Sequence, residues 1–348
     1  ADHTIDGKLH NLPLYGGSVT LAINRAMWKK VGKLHLLPSP DKPVWTMKQF
    51  EAALRAIAVP NEVYPLSLHV ASEQGDYSIL QFFWCRGAKM YENRDYSRVV
   101  LNSKIGIESL SWLLKAHRDG LVPPNITAIG GSEFFELFYR GGSGCIPAGA
   151  ALEQSLATAK RENRVTVDMD LMFAMTPTVE GQPQRVVSMT GGLCVFKQKN
   201  EEKKRAVLKF VKFLAEAESL EGYAKGAGVT VSRTRVKNPF VGTRYGKLIP
   251  YIESAEPVDM GVLSQHYYAI RRLLPPQLQA AFLGRKTPRE ALDAFCREAH
   301  TVVEQAKEAE ERAAKGSSRG LPPWPVSVSV IGVLLAGVWI FRRQLLAP

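Results

Sequence analysis

The chain has 348 residues, 45% of them apolar, enough for two domains with cores of their own. Its 45 lysines and arginines outnumber 33 acidic residues and leave a net charge of +12, yet the basic residues are scattered and no finger or RNP segment gathers them against a nucleic acid. Four widely spaced cysteines, with no HExxH, P-loop or GxSxG, leave metal, nucleotide and serine-hydrolase chemistry without a motif.

In chain order, a polar turn at Asp6, Gly7 and Lys8 leads into Leu12, Pro13, Leu14 and Tyr15, where Gly16 and Gly17 break the run. Val19, Leu21 and Ile23 then alternate with small or polar residues, so the strand resumes. Asn24 is an N-cap for a short helix over 25–30, and Gly32 stands just past its end. Residues 33–44 read as loop, and Thr46 caps a helix through Ile57 with Phe50, Ala53, Leu54 and Ile57 on one stripe. Residues 64–70 predict a strand and 77–84 a short apolar helix. Ile105, Ile107, Leu110, Leu113 and Leu114 predict a helix ending near Gly120, before Val122, Pro123 and Pro124. A short helix over 133–138, a strand over 144–147 and an extended stretch over 165–173 follow. Residues 188–196 read as a strand with a second glycine pair, Gly191 and Gly192. The next helix turns Val207, Phe210, Val211 and Leu214 inward, and helices over 263–274 and 288–311 close the domain. Three of the cysteines sit in apolar runs, as small buried hydrophobes do.

Several of these segments resemble one family. Asp6, Gly7 and Lys8 with the Asn24 helix, Gly120 to Pro124, Lys199 to Glu201, Gly228 to Arg233, and Gly284 to Leu292 fall in the order found in extracellular solute-binding proteins of ABC importers. Within that family the chain is similar to the maltose-binding-protein-like, carbohydrate-preferring group, from about residue 6 to about residue 311. The resemblance implies an α/β, two-lobed periplasmic-binding-protein type II fold that closes on its ligand like a hinged clam. First-lobe parts would lie at about 1–17 and 190–240, second-lobe parts at about 18–189 and 241–312. It implies a binding protein and not an enzyme, with no cofactor, a carbohydrate or related polar solute as ligand, and ABC permease membrane subunits as partners. The family carries further strand–helix units ahead of this opening stretch, so the first lobe is incomplete here, and the chain is either a fragment or a protein with a reduced first lobe. The chain opens at Ala1 without methionine or an apolar leader and reads as processed or cut.

The same resemblance places the ligand site. Tyr15, Gly17 and Ser18 fall on the first crossing strand, where a plain bulge at the glycines is an equal alternative. Tyr77 opens the helix that carries a stacking aromatic in the family, and Trp84 reads as core. Gly149 lies where many sugar binders follow with a tryptophan; Ala150 and Ala151 stand there instead and leave the ligand open. Thr190, Gly191 and Gly192 match the second crossing strand. Tyr267 lines the pocket or belongs to the core. Arg233 matches a polar position near the cleft or is an ordinary surface arginine, and in the first case an anionic ligand fits.

Residues 313–325 are rich in Gly, Ser and Pro and read as a linker. Sixteen residues without a charge, 326–341, precede Arg342 and Arg343. With Trp324 at one interface and the arginines snorkelling at the other, 326–343 reads as a transmembrane helix held in the lipid bilayer. The binding domain would then stand on the periplasmic or extracellular side of the cell membrane. A membrane-anchored solute sensor, or a binding domain fused to a permease in a longer chain, are the alternatives.

Overall fold

The computed structural model describes residues 4–5, 8–232, 236 and 238–317. They divide into two compact units at residue 302/303. The first unit opens with a hairpin of β1 (Thr4–Ile5) and β2 (Lys8–Leu9), which leads into β3 (Leu12–Asn24), a strand of 13 residues. β3 runs through both glycines without a break, so the predicted interruption is absent; the irregularity is a register shift between Pro13 and Tyr15. Asn24 ends the strand and caps α1 (Arg25–Lys30), its side chain accepting from the Ala26 N–H at 3.2 Å. Trp28 on α1 is fully buried and donates from Nε1 to the Ala53 carbonyl at 2.8 Å.

That carbonyl belongs to α2 (Met47–Ile57), which Thr46 and Gln49 start with a reciprocal capping box. The predicted strand over 64–70 is reduced to one isolated bridge, Leu66 to Cys145, because the Leu66 and Val70 N–H groups go to the Leu121 and Ile126 carbonyls in loops. The predicted helix over 77–84 is two single turns, α3 (Asp76–Ile79) and α4 (Gln81–Trp84). Next come α5 (Lys104–Arg118) and α6 (Gly131–Tyr139), then β4 (Cys145–Ala148), α7 (Ala151–Arg161) and β5 (Leu171–Ala174). β6 (Arg185–Leu193), α8 (Glu201–Leu214), α9 (Ala217–Ala227) and β7 (Thr230–Val231) follow. The last elements are α10 (Ile249–Ser254), β8 (Glu256–Pro257), α11 (Tyr267–Phe282) and α12 (Pro288–Ser317). α11 continues through Pro275 and Pro276, where the sequence suggested a stop. Each proline removes a helix N–H. Burial of Ile270, Leu274, Leu278 and Phe282 along the same helix offsets that loss.

β3 organises the sheet by changing neighbours half-way. Residues 20–24 lie between β4, from Thr20 against Ala148 to Ile23 against Cys145, and β5, from Leu21 against Ala174 to Asn24 against Leu171. Residues 12–19 pair instead with β6, and Tyr15 and Gly16 also with β7. Leu21, Ala22 and Ile23 are buried in succession because helices cover both faces of the sheet there. The core at this end includes Phe134, Phe138, Ile146, Leu152, Phe173 and Tyr245. At the other end Leu14, Leu220 and Val236 form a buried cluster, with Leu12, Tyr15, Leu193, Ala215 and Val231 packed against it.

α8 departs from expectation. None of its residues is buried, and Phe210, predicted to point inward, is 59% exposed. Phe213 is 53% exposed as well, whereas Val207, Val211 and Leu214 are half-buried, so the apolar stripe is covered only in part. Among the described residues no helix is long and apolar enough to cross a membrane. The transmembrane helix expected over 326–343 lies outside them, as does Arg233.

Candidate functional site

The structure gathers the candidate residues into two groups. The first is the stretch where β3 and β6 run side by side between the two ends of the sheet. Gly16 faces Thr190, Gly17 faces Met189 and Ser18 faces Ser188, whose hydroxyl lies 3.0 Å from that of Ser18. Ser188, Met189 and Thr190 are exposed and Gly16 to Ser18 only half-buried, although they sit in the middle of a paired ladder. This part of the sheet is uncovered.

Tyr245 donates its phenol to the Ser18 carbonyl at 3.2 Å, and Gly149 reaches the same carbonyl. A Cβ at Gly149 would stand 2.9 Å from that oxygen, so the glycine is needed for the close approach. At Gly17 a Cβ would meet nothing within 4 Å, which leaves open space beside the backbone. Gly191 and Gly192 have a packing task instead. A side chain on Gly191 would enter the Tyr15 ring, and one on Gly192 would meet the Leu12 carbonyl. Tyr15 itself is half-buried against Tyr223, with ring centroids 5.7 Å apart.

The second group joins α3 to α11. Asp76 takes a bidentate ion pair from Arg271, at 2.6 Å from Nε and 2.8 Å from Nη2, and also accepts from the Tyr77 N–H at 2.7 Å. The guanidinium lies 4.8 Å from the Tyr77 ring centroid and 5.9 Å from that of Tyr267. The two phenol oxygens are 3.3 Å apart. Burial raises the Asp76 carboxyl above its usual range against the pull of Arg271. Burial also opposes charge on Arg271, but the Asp76 hydrogen bonds and charge outweigh it and hold the guanidinium protonated. The fork geometry is that of a carboxylate facing a guanidinium. Tyr267 is buried, and that burial pushes its hydroxyl far up. The next residue of α11, Tyr268, is 51% exposed and packs edge-on to Tyr267, with ring centroids 5.2 Å apart.

The groups meet through α3, which packs against β4, the strand that runs into Gly149. Asp76, Ser188, Tyr268 and Arg271 were not legible as site residues. Arg271 and Tyr267 share a helix face by their spacing of four, but a buried partner 195 positions away leaves no trace in sequence.

Beside this region His69 stacks on Phe134 with ring centroids 4.9 Å apart, and its buried Nδ1 has no hydrogen-bond partner among the described residues. Burial pushes its pKa down to about 4, against a smaller upward pull from Glu133. The folded state therefore keeps His69 neutral where the unfolded chain takes a proton. Stability is fully present above pH 6.5 and falls by about 3 kcal/mol as pH drops toward 4. Urea melts at pH 7 and pH 4.5 should show this loss, and His69→Gln should flatten it. Glu133 and Glu136 on α6 each hold a structural contact. Glu133 accepts from the Gly130 N–H at 3.1 Å and Glu136 pairs with Arg164 at 2.8 Å. All four cysteines are free; Cys85, Cys145 and Cys296 are buried and Cys194, directly after β6, is exposed.

Residues 1–247 match the family described as bacterial extracellular solute-binding protein. The chain belongs to that family. Solute-binding proteins hold a ligand and do not convert it. Among curated proteins none matches this sequence. Solved structures of similar fold include a chitin oligosaccharide binding protein, 20% identical, with a TM-score of 0.72 over 88% of this chain and 74% of its own. A maltose-bound MalE3 of T. maritima is 16% identical, with a TM-score of 0.69 over 86% and 74%. A cyclic alpha-maltosyl-1,6-maltose binding protein from Arthrobacter globiformis is 18% identical, with a TM-score of 0.66 over 87% and 74%. This solute-binding protein therefore shares their α/β fold.

Proposed function

We propose that this protein captures a neutral carbohydrate between the two ends of its sheet and delivers it to the membrane subunits of an ABC permease. The observation that carries the reading is the uncovered β3–β6 ladder at Gly16 to Ser18 and Ser188 to Thr190. Two strands without a covering layer are the compliant part of such a structure, and crossing strands of this kind serve as hinges. A ligand touching both sides favours the closed arrangement by its differential contacts. Tyr77 and Tyr268 supply ring faces for sugar C–H surfaces, and Gly17, Gly149 and Thr190 supply backbone and hydroxyl groups for its oxygens. Arg271 is already neutralised by Asp76, which favours an uncharged solute over an anion. The solved structures of similar fold that bind chitin oligosaccharide, maltose and a cyclic maltosyl sugar support the ligand class.

The test is calorimetric titration with maltose, chitin oligosaccharides and simple monosaccharides. One of them should bind, and Tyr77→Ala or Tyr268→Ala should raise its Kd about tenfold, or about 1.4 kcal/mol. Unchanged affinity in both variants would remove the stacking site. The segment 326–343 serves in this reading as a membrane anchor that keeps the binding domain near its permease. Full-length protein should resist carbonate extraction from membranes, whereas a chain ending at residue 312 should be released.

A further inference from the structure

The turn that carries Tyr77 is tied on two sides, and the Asp76–Arg271 pair is only one of the ties. The other is Gln81, the first residue of α4, which is 3% exposed and makes two directional hydrogen bonds. Its Nε2 donates to the Tyr77 carbonyl at 2.7 Å, and its Oε1 accepts from the Thr176 hydroxyl at 3.0 Å. Thr176 is 4% exposed and stands two residues past β5. Its own carbonyl accepts from Gln184 Nε2 at 2.8 Å. Gln184 directly precedes β6, and its carbonyl accepts the Glu256 N–H of β8 at 2.9 Å. A shorter link runs beside it. Arg185, the first residue of β6, donates to the Trp84 carbonyl at the end of α4 at 3.4 Å and pairs with Glu256 at 3.3 Å.

A buried amide costs stability unless both of its ends are satisfied, and a leucine would fill the same space without that demand. The sense of this chain is fixed by chemistry. The Tyr77 carbonyl only accepts, so Gln81 presents Nε2 to it, and the Oε1 left over calls for the Thr176 hydroxyl as donor. α3 has four residues, too few to hold the direction of Tyr77 by helix hydrogen bonds of its own. An amide bonded on both sides, and buried, can hold it.

We propose that Gln81 and Thr176 are positioning residues for the solute site, whose relay locks the Tyr77 backbone to the β5–β6 junction so that the ring travels with β6 as one body. The proposal rests on the reading of Tyr77 as a stacking ring. Neither residue needs to touch the solute. Each acts by keeping the ring in its binding orientation before the solute arrives, which lowers the cost of ordering it on binding.

Calorimetric titration with maltose and with chitin oligosaccharide provides the first test, on the unmodified protein and on Gln81→Met, a change of similar volume. Gln81→Met should raise the Kd of the sugar that binds about tenfold. In a Tyr77→Ala background the same change should move Kd by less than about twofold, because Gln81 acts through that ring. Adding Thr176→Val to Gln81→Met removes the stranded hydroxyl and should recover part of the lost melting temperature. Kd should stay raised in that double variant, since the Tyr77 carbonyl still lacks its donor. Recovery of Kd in step with melting temperature, or an equal loss of affinity with and without the Tyr77 ring, would assign Gln81 to the core alone.

Hydrogen exchange without sugar gives the second test. Amides of residues 77–80 should exchange about tenfold faster in Gln81→Met, while those of α5 keep their rates. Unchanged exchange at 77–80 overturns the proposal. Absence of sugar binding by the unmodified protein would overturn the sugar reading instead, and the exchange rates would still decide whether the relay holds the turn.

Discussion

Arg271→Met should destabilise the protein by about 3–5 kcal/mol in a urea melt at neutral pH, more than any exposed charge substitution. The reason is what the substitution leaves behind. Asp76 has a side chain only 3% exposed and two of its contacts go to this guanidinium. Without Arg271 the carboxylate stays buried beside the Tyr77 N–H alone, or takes a proton at a cost set by pH. α3 is a single turn, so it has little intrinsic stability with which to keep Tyr77 in place. Asp76→Asn combined with Arg271→Met should cost less than the sum of the two single changes, because the double variant leaves no lone buried charge. Additive effects would mean that the pair is not coupled as its geometry states.

Trp28→Ala should cost a similar amount, about 3–5 kcal/mol. Trp28 is fully buried between α1 and α2, and its ring also fills the space above Gly144 at the start of β4. The change removes a large apolar volume and leaves the Ala53 carbonyl without its indole donor. Trp28→Phe, which loses the hydrogen bond but keeps most of the volume, should fall well below Trp28→Ala in chemical melts. Equal losses would mean that the hydrogen bond dominates the site.

Local signals in the sequence located most elements because their causes are local. Asn24 and Thr46 cap the helices assigned to them, and the stripe Phe50, Ala53, Leu54 and Ile57 is buried on α2. Gly32 follows α1 with positive φ, as a helix stop does. The misreadings arose where distant structure decides. Residues 64–70 have the composition of a strand, but Leu66 and Val70 donate to loops at Leu121 and Ile126. Gly16 and Gly17 do not interrupt β3, since a glycine weakens a strand without forbidding it. On α8 the stripe was read as inward, yet Phe210 is exposed while Val207, Val211 and Leu214 are half-buried, because periodicity reports a pattern and not a partner. The family and its fold were legible in ordered short motifs. The Asp76–Arg271 pair was not, and the exposed aromatic on α11 lies one position beyond the one expected, a quarter-turn that decides between core and surface.

The arrangement of the cysteines has a practical consequence. Three are buried, with thiols pushed up to about 12 at Cys85 and about 11 at Cys296, and higher still at Cys145, all by burial. Thiolate is the form that reacts with maleimides, so these three are poor targets in the folded state. Cys194 is exposed and sits where β6 leaves the ladder it forms with β3. The molecule thus comes with a single addressable position for a fluorophore or spin label, placed at the end of β6. Bending of that ladder can be followed optically without engineering any residue.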